Sequence, residues 1–287
     1  MVYNVTRDCT YCGQGCRTPN TAAACGPALD CARVWAPEFH YEPALADAVP
    51  GSGGYFLTYH FHCSGGGSGL LRSTTGQPFG PYADLVHGVP GGDVSLFYDA
   101  PPTGDGGVYA VSSGAALYAT RLTADLRAIN HSGSLTLAAN CDGECSRTSV
   151  GFEGPFLQQR NGTYYLAASA FGNATRHGGP RSIFNQPPAV SGCPDCYYST
   201  YMGCASTLHG PYVDAVDRAN PGGWLAVASG GHNVYFLDHA GALWATIWYG
   251  SNPGNDTPAR DAPFIDLPSV VLMTNISGRL VSAGRPP

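Results

Sequence analysis

One pattern returns four times along this 287-residue chain. Each repeat has a short apolar segment with one polar residue, a turn that contains glycine, and an aromatic-rich strand; the repeats begin at Trp35, Gly91, Gly151 and Gly230. Every repeat predicts three or four short strands joined by hairpin turns, and none shows helical periodicity. Units of this kind bury their faces by stacking on neighbours, which is typical of propeller blades. The sequence therefore predicts an all-β propeller with four visible blades over residues 35–287.

A second repeat supports this interpretation. The tripeptide Gly-Pro-Tyr occurs at residues 80–82 and again at 210–212, at the same place within its repeat. The alternative is a β-sandwich whose turns share this spacing by coincidence, and the regular period argues against it. Residues 1–34 are set apart from the repeats as a Cys-rich N-terminal segment.

Composition narrows the class of ligand. The net charge of −6 arises from only 12% charged residues without a basic run, so no nucleic-acid partner is expected and a neutral ligand fits better. All fourteen cationic residues are Arg, which excludes Lys nucleophiles and Schiff bases. Since no apolar run approaches the length of a transmembrane helix, no membrane span is expected.

The eleven cysteines favour disulfide bonds and a secreted protein. They are accompanied by N-glycosylation sequons, and both features belong to the secretory route. The sequons are at Asn4, Asn130, Asn161, Asn173, Asn255 and Asn275. The alternative is a zinc site formed by Cys9, Cys12 and Cys16 with one further ligand. We expect Cys193 and Cys196 to be structural, because no thioredoxin-like pattern surrounds them.

The first strand of each repeat carries a polar residue that stands out from its apolar surroundings. These residues are Glu38, Asp93, Glu153 and His232. Any one of them alone is best explained as a solvated side chain beside a turn. Because propeller blades place matching positions around one pocket, four such residues predict a shared site.

The segments that carry these residues resemble glycoside hydrolase family 43, the β-xylosidase and α-L-arabinofuranosidase group of five-bladed propellers. The matching phrases are WAPEFHY at 35–41, GDVSLFYD at 92–99, GFEGPFLQQRNGTYYL at 151–166 and GGHNVYFLDHAGALW at 230–244. The resemblance covers most of the chain from Trp35 onward. It implies that Glu153 is the general acid and that Asp93 holds the pKa and orientation of that acid, in a hydrolysis that inverts the anomeric carbon.

The chemistry of that role explains a carboxylate at the mouth of a β-hairpin. A glycosidic oxygen leaves poorly as an alkoxide, so a Glu whose pKa is raised by apolar burial and a nearby anion must protonate it. We expect Phe152 and Phe156 to supply the apolar surroundings and Asp93 the negative charge. Gly154 and the proline after it are expected to leave room for a sugar.

The general base is not assigned by the resemblance. In the family it is an Asp on a first blade, far upstream of the segment that matches Trp35. Only thirty-four residues precede Trp35 here, and their two acids, Asp8 and Asp30, are not in the family's motif. We interpret residues 1–34 as a remnant or replacement of that blade, with Asp8 as the candidate base, and we expect weak turnover or none.

The remaining candidates have supporting roles. The resemblance implies that Trp35 and Glu38 are pocket-wall residues that contact or support the substrate, with core packing as the alternative for Trp35. It also implies that His232 lies near a bound ion such as Ca²⁺ or near ordered waters, with a satisfied buried His as the alternative; no cofactor is required. The acids at 99, 105, 238 and 261 are interpreted as turn residues.

These observations favour a secreted carbohydrate-active propeller. The leading hypothesis is inverting hydrolysis of oligo- or polysaccharides that contain arabinose or xylose. The first alternative is a non-catalytic propeller that binds the sugar but lacks the base. The second is a Cys-rich extracellular interaction module that uses the propeller as a platform.

Overall fold

The computed structural model describes residues 34–61, 68–114, 116–139, 153–172, 197–216, 223–227, 231–249 and 267–283. Within these ranges, sixteen strands form four sheets of four strands each. Helical structure within the same ranges is limited to two 3₁₀ turns, Pro43–Leu45 and His131–Gly133. The described chain is therefore almost entirely β-structure, as predicted.

Each sheet corresponds to one sequence repeat. The first contains β1 (Val34–Tyr41), β2 (Tyr55–Phe61), β3 (Ser68–Ser73) and β4 (Tyr82–Val89). The second contains β5 (Gly92–Tyr98), β6 (Val108–Ser113), β7 (Ala116–Arg121) and β8 (Leu135–Ala139). The third contains β9 (Glu153–Arg160), β10 (Thr163–Gly172), β11 (Tyr197–Ala205) and β12 (Trp224–Val227). The fourth contains β13 (Tyr235–Leu237), β14 (Leu243–Tyr249), β15 (Leu267–Ile276) and β16 (Arg279–Ser282).

In every sheet, strands that are consecutive in the chain are also neighbours in space. This is the four-stranded meander of a propeller blade, so the predicted fold class, with four visible blades, is confirmed. The third sheet also has a two-residue hairpin turn. Asn161 and Gly162 both have positive φ, +51° and +77°, and they join β9 to β10 as a two-residue hairpin.

The Gly-Pro-Tyr tripeptides make the same turn in two different sheets. The hydroxyl of Tyr82 donates to the carbonyl of Pro78 at 2.9 Å, and the hydroxyl of Tyr212 donates to the carbonyl of Leu208 at 2.8 Å. Both tyrosine side chains are buried. Each turn follows the third strand of its sheet, which confirms that the first and third repeats are equivalent.

The chain divides into two compact units, one of residues 1–112 and 119–135 and the other of residues 113–118 and 136–287. The core of the first unit is a cluster of buried, mainly aliphatic side chains. Its larger members are Phe56, Leu70, Val86, Leu96, Val108 and Leu126. The core of the second unit is richer in aromatic and sulfur-containing side chains. Its larger members are Phe156, Tyr165, Met202, Trp224, Tyr235, Ile247 and Met273.

Two polar contacts join the third and fourth sheets inside the second unit. The indole nitrogen of Trp224 donates to the carbonyl of Leu280 at 2.8 Å. The guanidinium of Arg279 donates to both carboxylate oxygens of Asp214, at 2.8 and 2.6 Å, and the Asp214 side chain is fully buried. A bidentate pair of this kind fixes the direction of both partners as well as their distance.

Ten of the eleven cysteines lie outside the described residues, and the predicted disulfides and the alternative zinc site at Cys9, Cys12 and Cys16 lie there too. Cys204 on β11 is the exception, and it is partly buried beside the core of the second unit. Among the described residues, no helix has the length and apolar character needed to cross a membrane.

Candidate active site

One backbone conformation recurs in, or just before, the first strand of each sheet. Ala36, Asp93, Gly154 and His232 have φ values of +46°, +49°, +51° and +50°. Three of these four residues carry a side chain, and a left-handed conformation costs such residues about 1–2 kcal/mol. A strain that recurs at one place in all four repeats marks this place as the structural anchor of the site.

In two sheets the conformation belongs to a β-bulge of identical form. In the first sheet, Trp35 pairs with His60 and Glu38 pairs with Thr58. Three residues of β1 therefore advance against two residues of β2. The bulge tilts the start of the strand away from a regular register.

The third sheet repeats this bulge at the candidate acid. Glu153 pairs with Ser169 and Phe156 pairs with Ala167, so β9 again advances three residues against two. The sequences WAPE and EGPF thus occupy equivalent places, with a positive-φ residue followed by proline in both.

This equivalence corrects the alignment expected from sequence. Glu38, Asp93, Glu153 and His232 were expected to occupy matching positions. The structure matches Ala36, Gly154, Asp93 and His232 instead. Glu153 stands one residue before the matching position and Glu38 stands two residues after it, because the inserted residue of the bulge shifts the register locally.

In the second unit, the structure brings the candidate acid and the candidate His into one neighbourhood. A methyl group placed on Gly154 would lie 2.8 Å from both Cα and Cγ of His232. Gly154 was expected to leave room for a sugar. That space is occupied by His232, so the glycine serves close packing between the third and fourth sheets.

A buried hydroxyl pair also holds the backbone of His232. The backbone N–H of His232 donates to Oγ of Ser169 at 2.7 Å, and Ser169 lies 3.0 Å from the hydroxyl of Thr200. Both hydroxyl-bearing side chains have zero solvent exposure. Sequence analysis did not single out Ser169, because a Ser in an apolar strand carries no distinctive signal.

The surroundings of Glu153 differ from those expected. Its side chain is exposed, so the apolar burial predicted for it is not found among the described residues. Phe156 is buried, but it packs against Tyr235, with ring centroids 5.3 Å apart, inside the core of the second unit. Phe152, the other expected apolar neighbour, lies outside the described residues.

In the first unit, Asp93 stands next to a histidine that the sequence did not indicate. Asp93 is half-buried, and the ring of His60 packs beside Gly92, within 3.4 Å of where a methyl group on that glycine would lie. Nδ1 of His60 lies 2.9 Å from Oγ of Ser68, and that hydroxyl donates its proton to the carbonyl of Gly91 at 2.8 Å. Since Ser68 has one proton to donate, Nδ1 of His60 carries the hydrogen.

Glu38 lies in the interior of the first unit. Its side chain is 2% exposed, and one carboxyl oxygen lies 3.1 Å from Nε2 of His40. The backbone N–H of Leu96 on β5 also reaches that nitrogen, at 3.3 Å. This network favours the supporting role for Glu38. Burial raises the pKa of the neighbouring Glu42, and His40 opposes that shift.

The remaining predicted residues lie in β1, in turns or outside the described residues. Trp35 lies in β1, and Asp8, Asp30 and Asp261 lie outside the described residues. The acids at 99, 105 and 238 bond within turns, as predicted. The indole of Trp244 donates to Asp238 and lowers the pKa of that carboxyl.

Asp93 belongs to the first unit and Glu153 to the second, and their convergence on one cavity stays a prediction.

The ion that the family resemblance implies beside His232 stays a prediction. Over the described ranges, no group of three or more acidic, His or Cys residues is arranged to hold a metal.

Replacing Gly154 with Ala is expected to destabilise the second unit by about 2 kcal/mol or more. The new methyl group adds the cost of a left-handed Ala, about 1–2 kcal/mol, to a collision with the His232 backbone. Urea unfolding followed by tryptophan fluorescence measures the loss, because three of the four tryptophans belong to this unit.

Gly162→Ala is the matched control. Its φ is +77°, and a methyl group there meets nothing within 4 Å, so it carries the backbone cost alone. Equal losses of stability for the two variants would contradict the packing of Gly154 against His232.

Solved structures with a similar fold come from carbohydrate-active enzymes. The α-L-arabinanase of Cellvibrio cellulosa complexed with arabinohexaose is 17% identical, with a TM-score of 0.60 over 92% of this chain and 83% of that one. An endo-1,4-β-xylanase from Bacteroides thetaiotaomicron is 18% identical, with a TM-score of 0.57 over 88% and 76%. An exo-1,5-α-L-arabinanase from a bovine ruminal metagenomic library is 18% identical, with a TM-score of 0.59 over 88% and 78%.

Sequence comparison reaches the same group. The profile described as Glycosyl hydrolases family 43 matches residues 18–266. No curated protein matched the chain. The matched range includes all four first-strand anchors, at Ala36, Asp93, Gly154 and His232.

Proposed function

Because this chain belongs to glycosyl hydrolase family 43, we propose that it hydrolyses glycosidic bonds in arabinose- or xylose-containing polysaccharides, with inversion at the anomeric carbon. The observation that carries the proposal is the bulge of β9, which puts an exposed Glu153 next to the contact between Gly154 and His232. Arabinanases and a xylanase are among the structures that share the fold.

Glu153 is the proton donor of this mechanism. Its carboxyl group gives a proton to the glycosidic oxygen as the bond to the anomeric carbon breaks, so the leaving group departs as a neutral alcohol. An exposed carboxyl at the mouth of a hairpin can reach a polymer in solution. The family resemblance implies that Asp93 supplies the anion that raises the pKa of this donor, and that role stays a prediction.

The base completes the balance of the reaction. It takes a proton from a water molecule, whose oxygen attacks the anomeric carbon from the face opposite the leaving group. In inverting glycosidases the two carboxyl groups are about 6.5–9.5 Å apart, which leaves space for that water. The two acids that precede Trp35, Asp8 and Asp30, are the candidates for this role.

The test uses arabinan, xylan and the para-nitrophenyl glycosides of arabinofuranose and xylose. The chain is expected to release reducing sugar, and NMR of the first product is expected to show the inverted anomer. Asp8→Asn and Asp30→Asn identify the base, since the variant that lacks it loses turnover. Binding of arabino-oligosaccharides at a rate of hydrolysis no higher than that of buffer would favour the non-catalytic alternative.

The proposal extends to a secreted, disulfide-bonded glycoprotein. It is supported by eleven cysteines and six sequons in one chain. Two of the sequon residues, Asn161 and Asn275, are exposed, the first in the turn between β9 and β10 and the second near the turn between β15 and β16.

Expression in a secreting eukaryotic host is expected to give glycans at Asn161 and Asn275. Enzymatic removal of N-glycans should lower the mass in steps, and Asn161→Gln and Asn275→Gln should each remove one step. Asn130 is less accessible, because it is half-buried and its side-chain oxygen accepts from Ser132. Unmodified protein in which all thiols react with an alkylating agent before reduction would contradict the secreted assignment.

A further inference from the structure

The hydroxyl of Ser169 lies at the junction of three elements of the candidate site. Ser169 is on β10, directly across from Glu153 on β9. Its Oγ accepts the backbone N–H of His232 at 2.7 Å. Glu153 and His232 therefore share one buried neighbour, Ser169.

The direction of the hydrogen bond between His232 and Ser169 is fixed. A backbone N–H can only donate, so Ser169 accepts from His232 whichever way its own hydroxyl points. The second hydroxyl, on Thr200, lies 3.0 Å away and exchanges a hydrogen bond with Ser169. Both side chains have zero exposure, so no bulk solvent can replace either bond.

The bond falls where the backbone needs support. His232 has φ of +50°, which costs a residue with a side chain about 1–2 kcal/mol. His232 also packs closely against Gly154, the residue immediately after Glu153. Ser169 thus holds a strained residue against the bulge from which the acid projects.

We propose that Ser169 is a positioning residue of the active site, which fixes Glu153 and His232 relative to each other through its bond to the His232 backbone. The effect of Ser169 on catalysis rests on the proposed hydrolytic function. Its effect on the placement of the His232 ring does not. Without the hydroxyl, the buried N–H of His232 loses its acceptor and the segment shifts from the bulge.

The kinetic test compares Ser169→Ala with the wild-type chain on arabino-oligosaccharides. We expect kcat to fall by about 10- to 100-fold with KM little changed, because misplacement by about 1 Å is enough for such a loss. The acidic and basic limbs of the pH profile of kcat are also expected to move, since the surroundings of Glu153 change. A purely structural role would lower the amount of folded enzyme without moving the limbs.

Two variants serve as controls. The double variant Ser169→Thr with Thr200→Ser keeps both hydroxyls and the total side-chain volume, so it is expected to recover most of kcat. Thr246→Val removes a different hydroxyl, which accepts the backbone N–H of Val234 at 3.0 Å, two residues beyond His232. That variant is expected to lose stability to a similar degree and to keep the pH profile.

A second readout does not depend on turnover. The imidazole resonances of His232, assigned with His232→Gln in the full chain, are expected to shift in Ser169→Ala and to stay in place in Thr246→Val. Unchanged His232 resonances in Ser169→Ala would overturn the inference, whether or not the chain hydrolyses glycosides. If the His232 resonances shift in Ser169→Ala but the wild-type chain does not hydrolyse glycosides, the positioning role is supported and only the proposed function is overturned.

Discussion

Glu153→Gln is expected to lower the kcat for hydrolysis of arabino-oligosaccharides by about 10²- to 10⁴-fold, the usual contribution of a general acid. Gln has nearly the same shape and keeps one acceptor oxygen, but it has no proton to give. Because Glu153 is exposed, the substitution leaves the packing of the second unit intact. The loss should therefore appear in the chemical step and leave stability unchanged.

The leaving group distinguishes an acid from a binding residue. Para-nitrophenol departs readily without a proton, whereas a sugar hydroxyl does not. We expect Glu153→Gln to reduce hydrolysis of arabino-oligosaccharides far more than that of para-nitrophenyl arabinofuranoside. Equal losses on both substrates would assign Glu153 to binding and would contradict its role as the acid.

Arg279→Met is expected to destabilise the second unit by about 3 kcal/mol. The substitution leaves the carboxylate of Asp214 buried with zero exposure and without its bidentate guanidinium. Breaking a buried ion pair typically costs about 3–5 kcal/mol. We expect about the lower limit here, because Arg279 is partly exposed. The Arg279 side chain is 29% exposed, which lets water compensate in part. Tryptophan fluorescence in urea reports this unit.

Two further variants test whether the loss of stability comes from the buried ion pair of Arg279 and Asp214. Arg127→Met breaks an ion pair in the first unit whose side chains are 65% and 57% exposed, and it should cost less than about 1 kcal/mol when urea unfolding of both variants is followed by circular dichroism, which reports both units. Adding Asp214→Asn to Arg279→Met removes the stranded charge and should restore part of the loss. A cost for Arg279→Met no larger than that for Arg127→Met would show that Asp214 is hydrated in solution.

The blades could be predicted from sequence because they rest on local and periodic signals. The two Gly-Pro-Tyr turns depend on a few neighbouring residues, and each appears at the same place in its repeat, as predicted. The family resemblance then named Glu153 and Asp93 from short motifs. The profile match over residues 18–266 confirms that resemblance.

The register of the site could not be predicted in the same way. A bulge adds one residue without changing the apolar pattern on either side, so Glu153 was aligned with His232 although Gly154 is its true counterpart. The supporting residues were missed for a different reason. Ser169 and His60 act through backbone contacts that form only when separate strands meet, and neither has a sequence motif.

The recurring positive φ restricts which functional groups each blade can present. Asp and His belong to the few residues with side chains that are enriched in this conformation, and they are the residues found at the anchors of the second and fourth blades. A long Glu is not among the favoured residues there. In the third blade it stands one place earlier, and a glycine occupies the anchor. The left-handed backbone conformation therefore limits which side chains an anchor position favours. New activities can arise at an anchor by exchange among Asp, Asn, His and Gly, whereas a longer acid must be introduced at a neighbouring position.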